Sequence, residues 1–329
     1  MQKHTGVICG MLIFLIALTS WGDAAGKFKV ALLTPGSISD AGWNALAYDG
    51  LKLIETELGA EVSHVESRTP SEWEEHFRFY AEKGFNLVIG HGFEYQEAAK
   101  AVSPDFPNAV FVTTSGSTVM KNVASIVFEL EEATYLLGII SGMMTQTGKI
   151  GLVGGMNIPP IKSTFLAFEE GAKSVNPDIK ISRSYVGDWE NISKAKELAL
   201  SQIAEGTDFI FHNADAAGQG VFHAVEESRK AGKDIYAYGS NRNQNHIAPD
   251  AILASAVIDT KVFVHVANLV KTGKFEPKVM LLGMAEDEMV KLVYNPKLKD
   301  RVPKAVTDKV EETRQMILAG SFKAPRVKF

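Results

Sequence analysis

KFKVALLTPGSISDAGWNALAYDGLKLIETEL, residues 27–58, decides the fold. Lys27–Thr34 is a short apolar run that stops at Pro35-Gly36, the pattern of a strand buried on both faces. Trp43–Leu58 then carries Leu46, Leu51, Ile54 and Leu58 at helical spacing. Outward from this unit the rhythm repeats. Glu61–Val65 reads as a strand, and Thr69-Pro70-Ser71-Glu72 opens a helix with a capping box. Strands at Leu87–Gly90 and Ala109–Thr114 flank a helix near Phe93–Val102. Strand, helix, strand in this order predicts a parallel sheet covered on both faces.

The rhythm restarts after Glu129, with a helix over Ala133–Met144. Strands at Lys149–Gly154, Lys180–Tyr185, Asp208–His212, Asp234–Tyr238 and Ile252–Ile258 follow. Helices near Ile161–Val175, Ile192–Ala204 and Gly220–Ala231 separate the first four of them. A helix at Lys261–Thr272, short strands near Val279–Leu282 and Met289–Leu292, and a helix near Ala305–Ala319 complete the chain. With no low-complexity linker between the two series, the chain is expected to cross between two α/β lobes more than once. Residues 27–129 and 261–282 would form one lobe, residues 133–255 the other, and residues 287–329 would pack on the second. Ligands of doubly wound sheets sit beyond the carboxyl ends of the strands, so the two sets of strand ends would face one cleft.

The N-terminus reads as an export signal: Lys3, an apolar run Val7–Leu18, then the small residues Gly22, Ala24 and Ala25. Residues 1–24 are expected to be cleaved, leaving about 305 of 329 residues in the periplasm. The single cysteine, Cys9, lies in this segment and near the start of the apolar run, so neither a lipid anchor nor thiol chemistry is expected. A net charge of −5 with no basic stretch argues against nucleic acid as the partner. No phosphate-loop, dinucleotide-binding, serine-elbow or H-E-x-x-H motif occurs, and none of the eight histidines sits in a convincing metal set. The chain therefore reads as a binding protein without catalytic residues, cofactor or metal.

The residues that stand out lie at strand ends. Asp40, Trp43 and Asn44 follow the first strand, and His91 and Phe93 the third. Ser115 follows the fourth and Trp189 the strand ending near Tyr185. Asn213 and Asp215 follow Asp208–His212, and Asn241 and Asn243 follow Asp234–Tyr238. One tryptophan per lobe could sandwich a flat ring. Asp40 could equally cap the helix that begins at Trp43, and both roles can coexist.

These segments resemble the basic membrane protein family of solute-binding proteins, also called PnrA-like, which are similar to type I periplasmic binding proteins. Ser39-Asp40-Ala41-Gly42-Trp43-Asn44 resembles the family's Gly-Asp-x-x-Phe-Asn, and Gly154-Gly155-Met156-Asn157-Ile158-Pro159 its Gly-Gly-Met-Asp-Ile-Pro. Pro107–Phe111 with Asn122-Val123-Ala124-Ser125 resembles a lobe-end strand and the Asn-Val turn beyond it. FHNADAAGQGV, 211–221, and the stretch from Tyr238 to Ser255 keep the family's spacing. The resemblance implies a receptor for a purine-like ligand, nucleobase or nucleoside, that docks on a membrane ABC permease. It also implies that Trp43 and Trp189 are the two stacking residues. A sensory receptor presenting the same ligand to a membrane kinase or chemoreceptor is the alternative, with an exported hydrolase third. The family's sugar-binding carboxylates fall on Ser115, Asn241 and Asn243, and its lysine on Ile258. Neutral partners replace charged ones, so a free base is expected to bind within about tenfold of its nucleoside. Hinges are expected near Glu129–Glu132, Ser255–Thr260 and Gly283–Glu286.

Overall fold

The structure, a computed structural model, describes residues 26–327. The expected signal segment lies outside them. Two six-stranded sheets share one strand order. The first contains β1 (Lys29–Thr34), β2 (Glu61–Glu66), β3 (Leu87–Gly90), β4 (Val110–Thr114), β5 (Val123–Phe128) and β11 (Val279–Leu282), ordered β2-β1-β3-β4-β5-β11 and parallel throughout. The second contains β6 (Lys149–Gly154), β7 (Lys180–Tyr185), β8 (Phe209–Asn213), β9 (Tyr236–Gly239), β10 (Ile252–Ile258) and β12 (Val290–Tyr294), ordered β7-β6-β8-β9-β10-β12. Only β12 runs antiparallel to its neighbour. The order reverses direction at β1/β3 in one sheet and at β6/β8 in the other, and these are the crevices where such sheets hold ligands.

The chain passes between lobes three times. β5 leads through Glu129 into α4 (Leu130–Met144), which packs on α5 (Pro159–Val175) of the second lobe. β10 leads through Asp259 and Thr260 into α8 (Lys261–Lys271), which packs on α1 (Trp43–Leu58) of the first. β11 joins the first sheet, and residues 283–289 carry the chain back to β12. Glu131 and Glu132, expected in a hinge strand, are instead in the first turn of α4.

Packing follows the apolar pattern. α4 and α5 cross so closely that a side chain on Gly138 would overlap the Phe168 carbonyl, and one on Gly171 the Tyr135 carbonyl. One apolar cluster runs from Leu32 and Ile89 through Leu136 and Phe168 to Phe211, tying both lobes together. The helix over Pro70–Glu82 has the capping box read from Thr69 and Glu72. The turn expected at Asn122–Ser125 is corrected: it ends at Asn122, whose amide donates to the carbonyls of Ser103, Phe106 and Ala109, and Val123 opens a fully buried strand. VASIVF is a run of small and apolar residues buried at every position, which suits a strand covered on both faces.

Candidate functional site

A cavity of about 670 Å³, its open mouth included, lies between the carboxyl ends of the two sets of strands. The first lobe contributes Pro35 and Trp43 after β1, Phe93 and Glu94 after β3, Ser115 after β4, and Val127 and Phe128 from the end of β5. The second contributes Ile158 and Pro160 after β6, Trp189 after β7, Asn213 and Asp215 at and after β8, Asn241 after β9, and Ile258 at the end of β10. Both switch points open into the same space.

Trp43 begins α1 and is held from behind. Its ring stacks on His91 with centroids 3.9 Å apart and planes 21° apart, and meets Phe128 edge-on at 5.7 Å. Trp43 Nε1 donates to the His91 carbonyl at 3.2 Å, and His91 Nε2 donates to the Trp43 carbonyl at 3.0 Å. The second ring nitrogen of His91 then accepts from the Thr114 hydroxyl at 3.1 Å. Burial pushes the His91 pKa down to about 3, so the ring is neutral near pH 7. His91 was expected in the ligand shell. It is fully buried and does not line the cavity; it is the seat on which the indole rests.

Trp189 rests on backbone instead. A Cβ on Gly155 would overlap atoms Cε3 and Cζ3 of its ring, so glycine lets the indole lie against the turn after β6. The loop is fixed by Asp188, which accepts from the amides of Glu190 and Asn191, and by Ala217 N donating to the Trp189 carbonyl at 2.9 Å. Glu190 forms an ion pair with Arg68 across the cleft mouth at 3.0 Å, and Arg242 pairs with Asp49 from lobe to lobe. Gln244 adds a third link, its Nε2 donating to the Ala41 carbonyl at 3.1 Å.

The polar wall is a relay. Asn241 Nδ2 donates to Asn213 Oδ1 at 3.4 Å, Asn213 Nδ2 to Thr164 Oγ1 at 3.2 Å, and Thr164 to the Ile161 carbonyl at 2.9 Å. Ser115, Asp215 and Asn241 all have positive φ, +58°, +48° and +66°. That conformation is costly for residues with a side chain and gathers where binding needs it. Asp40 is 4% exposed and accepts from the amides of Gly42, Asn44 and Ala45 and from the Asn44 side chain, so its carboxylate stabilises the start of α1 from two residues before the cap. Asp40 and Asn44 border a smaller adjoining cavity together with Arg68 and Asp188. Asn243 is exposed, accepts from the Asn245 amide and stands outside both cavities.

Two of the three carboxyl-bearing lining residues escaped the sequence reading. Glu94 directly follows Phe93, so its strand-end position was the available signal. Glu131 had none, because its place in the wall depends on α4 crossing between lobes. Burial pushes the carboxyls of both up to about 7. Asp215 is raised well above the ordinary carboxyl range by burial, then by the nearby charges of Asp40 and Glu94. Among the described residues, no group of three or more His, Cys, Asp or Glu could hold a metal ion, and no helix is long and apolar enough to cross a membrane.

Two α/β lobes with three crossovers and a cavity at facing strand ends define a solute-binding protein of the periplasmic-binding type. The chain belongs to the PnrA-like family of ABC transporter substrate-binding proteins, whose family model matches residues 27–328. It is 29% identical over 293 residues to basic membrane protein A2 of Borrelia garinii, covering 87% of this chain and 86% of that one. It is 27% identical over 312 residues to the ABC transporter nucleoside-binding protein BmpA of Lactococcus lactis, covering 88% and 89%. In fold it is similar to an ABC transporter solute-binding protein of Aeropyrum pernix K1, with TM-score 0.82, 23% identity and coverage of 91% and 94%.

Proposed function

We propose that this protein captures a planar, purine-like solute, a nucleobase or nucleoside, and delivers it to the membrane permease of an ABC importer. The solute binds without being chemically changed. One observation carries the reading: each lobe places one tryptophan in the same cavity, and each indole is backed by a fixed support, His91 for Trp43 and Gly155 for Trp189. A flat ring between them would gain roughly 0.5–1.5 kcal/mol per aromatic contact beyond the area it buries. The nucleoside-binding relative from Lactococcus lactis supports the ligand class. Export through a cleaved signal, with no lipid anchor, would place the protein in the periplasm, where it would meet both solute and permease.

The sugar side supports tolerance for a free base. Ser115 and Asn241 offer only neutral hydrogen bonds, and Ile258 presents hydrocarbon to the cavity. Asp259, next to Ile258, is engaged with Lys291 at 2.8 Å and cannot serve as a stand-in. Calorimetric titration with a matched base and nucleoside tests this. The expected result is affinities within about tenfold, a gap under roughly 1.4 kcal/mol. A hundredfold preference for the nucleoside would reveal a sugar site that these residues do not explain.

A further inference from the structure

We infer that the cleft selects solutes rich in hydrogen-bond donors, flat nitrogen heterocycles carrying exocyclic amino groups or a positive charge, and rejects anions. This deepens the ligand reading above and rests on it. Three carboxyl-bearing residues, Glu94, Glu131 and Asp215, line the cavity, and its lining contains no lysine, arginine or histidine. An anionic solute would therefore lose its hydration without gaining a cationic partner in the lining, in a space walled by Trp43, Phe128 and Ile258.

A second, independent observation points the same way. Glu131 is only 5% exposed, and its Oε2 has no hydrogen-bond partner. Buried carboxyl oxygens are ordinarily paired, so an orphan in the wall of a binding cleft marks a place for a donor from the ligand. The neutral side chains do not fill that role. Asn241 donates to Asn213, Asn213 to Thr164 and Thr164 to a backbone carbonyl, so this relay passes its donors along the wall. The raised carboxyl pKa values fit the same picture, since burial disfavours their charge until a donor arrives. At the edge of a stacked ring, an amino group can donate to Glu131 or Glu94 in a charge-assisted bond, about twice as strong as a neutral one.

The test is calorimetric titration at pH 7.5 with three probes: 2,6-diaminopurine, unsubstituted purine and urate, an anion at that pH. Diaminopurine is expected to bind at least about tenfold more tightly than purine, and urate to show no binding. Glu131→Gln and Glu94→Gln should together reduce the diaminopurine-to-purine ratio at least about fivefold. Glutamine keeps the shape, and thermal unfolding of each variant checks that it is folded. Urate binding within tenfold of diaminopurine, or an unchanged ratio in the double variant, overturns the inference. Purine separates this from the stacking reading, because it carries no amino group. If Trp43→Ala and Trp189→Ala leave purine affinity unchanged, the stack is wrong, whatever the amino preference.

Discussion

The two tryptophans of the cleft are held in different ways. Trp43 sits in an aromatic nest: His91 behind it, Phe128 at its edge and a hydrogen bond in each direction between it and His91. Trp189 sits on a loop, against the bare backbone of Gly155. The first arrangement builds the indole into the lobe core, so disturbing it costs stability as well as binding. The second packs on the edge of the same apolar core but takes its place from the empty Cβ position of Gly155, so displacing the ring should cost the fold less. One face of the cleft is thus set by aromatic and hydrogen-bonded partners, and the other by the room a single missing methyl group leaves.

The largest expected effect tests the nest. His91 is buried and neutral with its pKa lowered to about 3, whereas in the unfolded chain it titrates near about 6.5. Protons then bind the unfolded state preferentially, so this stabilisation is complete above about pH 6.5 and is lost as pH falls toward 3. The loss is on the order of 3–5 kcal/mol across that window. His212, lowered to about 4 by burial, acts in the same direction. The carboxyls of Glu94, Glu131 and Glu132, raised to about 7, act oppositely: their contribution is present below about pH 4.5 and lost as pH rises through 7. Urea unfolding of the ligand-free protein at pH 6.5 and pH 4 should show a smaller acid-side loss in His91→Gln than in the parent. An equal loss would mean that His91 is not the buried neutral seat of Trp43.

Next in size, Trp43→Ala and Trp189→Ala should each weaken binding of a planar ligand by about 1–3 kcal/mol. Only Trp43→Ala should also lower the melting temperature appreciably, because it empties a space against Phe128. Equal stability losses would erase the distinction between the two seats. Gly155→Ala sharpens it further. The added methyl displaces Trp189, so affinity should fall about fivefold to tenfold while stability shifts by less than about 0.5 kcal/mol. Smallest of all is Arg242→Ala. Its pair with Asp49 is a partly exposed ion pair between lobes, in the range of 0–1 kcal/mol. Titration should show an affinity change of under about threefold, and smaller still at high salt.

The same contrast explains what could be read from the chain beforehand. Periodicity placed β1, α1 and the Thr69 capping box, because each is written in adjacent residues. The parallel sheets followed from alternating strands and helices. The strand Val123–Phe128 was lost behind Asn122, since a turn residue says that a segment ends but not how soon the next begins. Strand-end logic found Trp43 and Trp189. It also selected His91 and Asp40, because it reports only nearness to the rim. Whether a side chain faces the cavity, as Phe93 does, or supports one that does, as His91 does, depends on partners many residues away. Glu131 shows the limit most clearly: it becomes part of the wall only when α4 has crossed to the other lobe.

The crossing of β11 also sets an order of assembly. Val279 lies opposite Ser125, more than a hundred residues earlier in the chain, and closes the edge of the first sheet beyond β5. A chain emerging from the ribosome N-terminus first holds that sheet one strand short until residue 282 has been made. Until then the apolar strand VASIVF is an open edge, the kind of surface on which chains pair wrongly with one another. Neither lobe can be finished before most of the other has been synthesised. The first sheet thus depends on the last hundred residues of the chain to protect a strand in its first half.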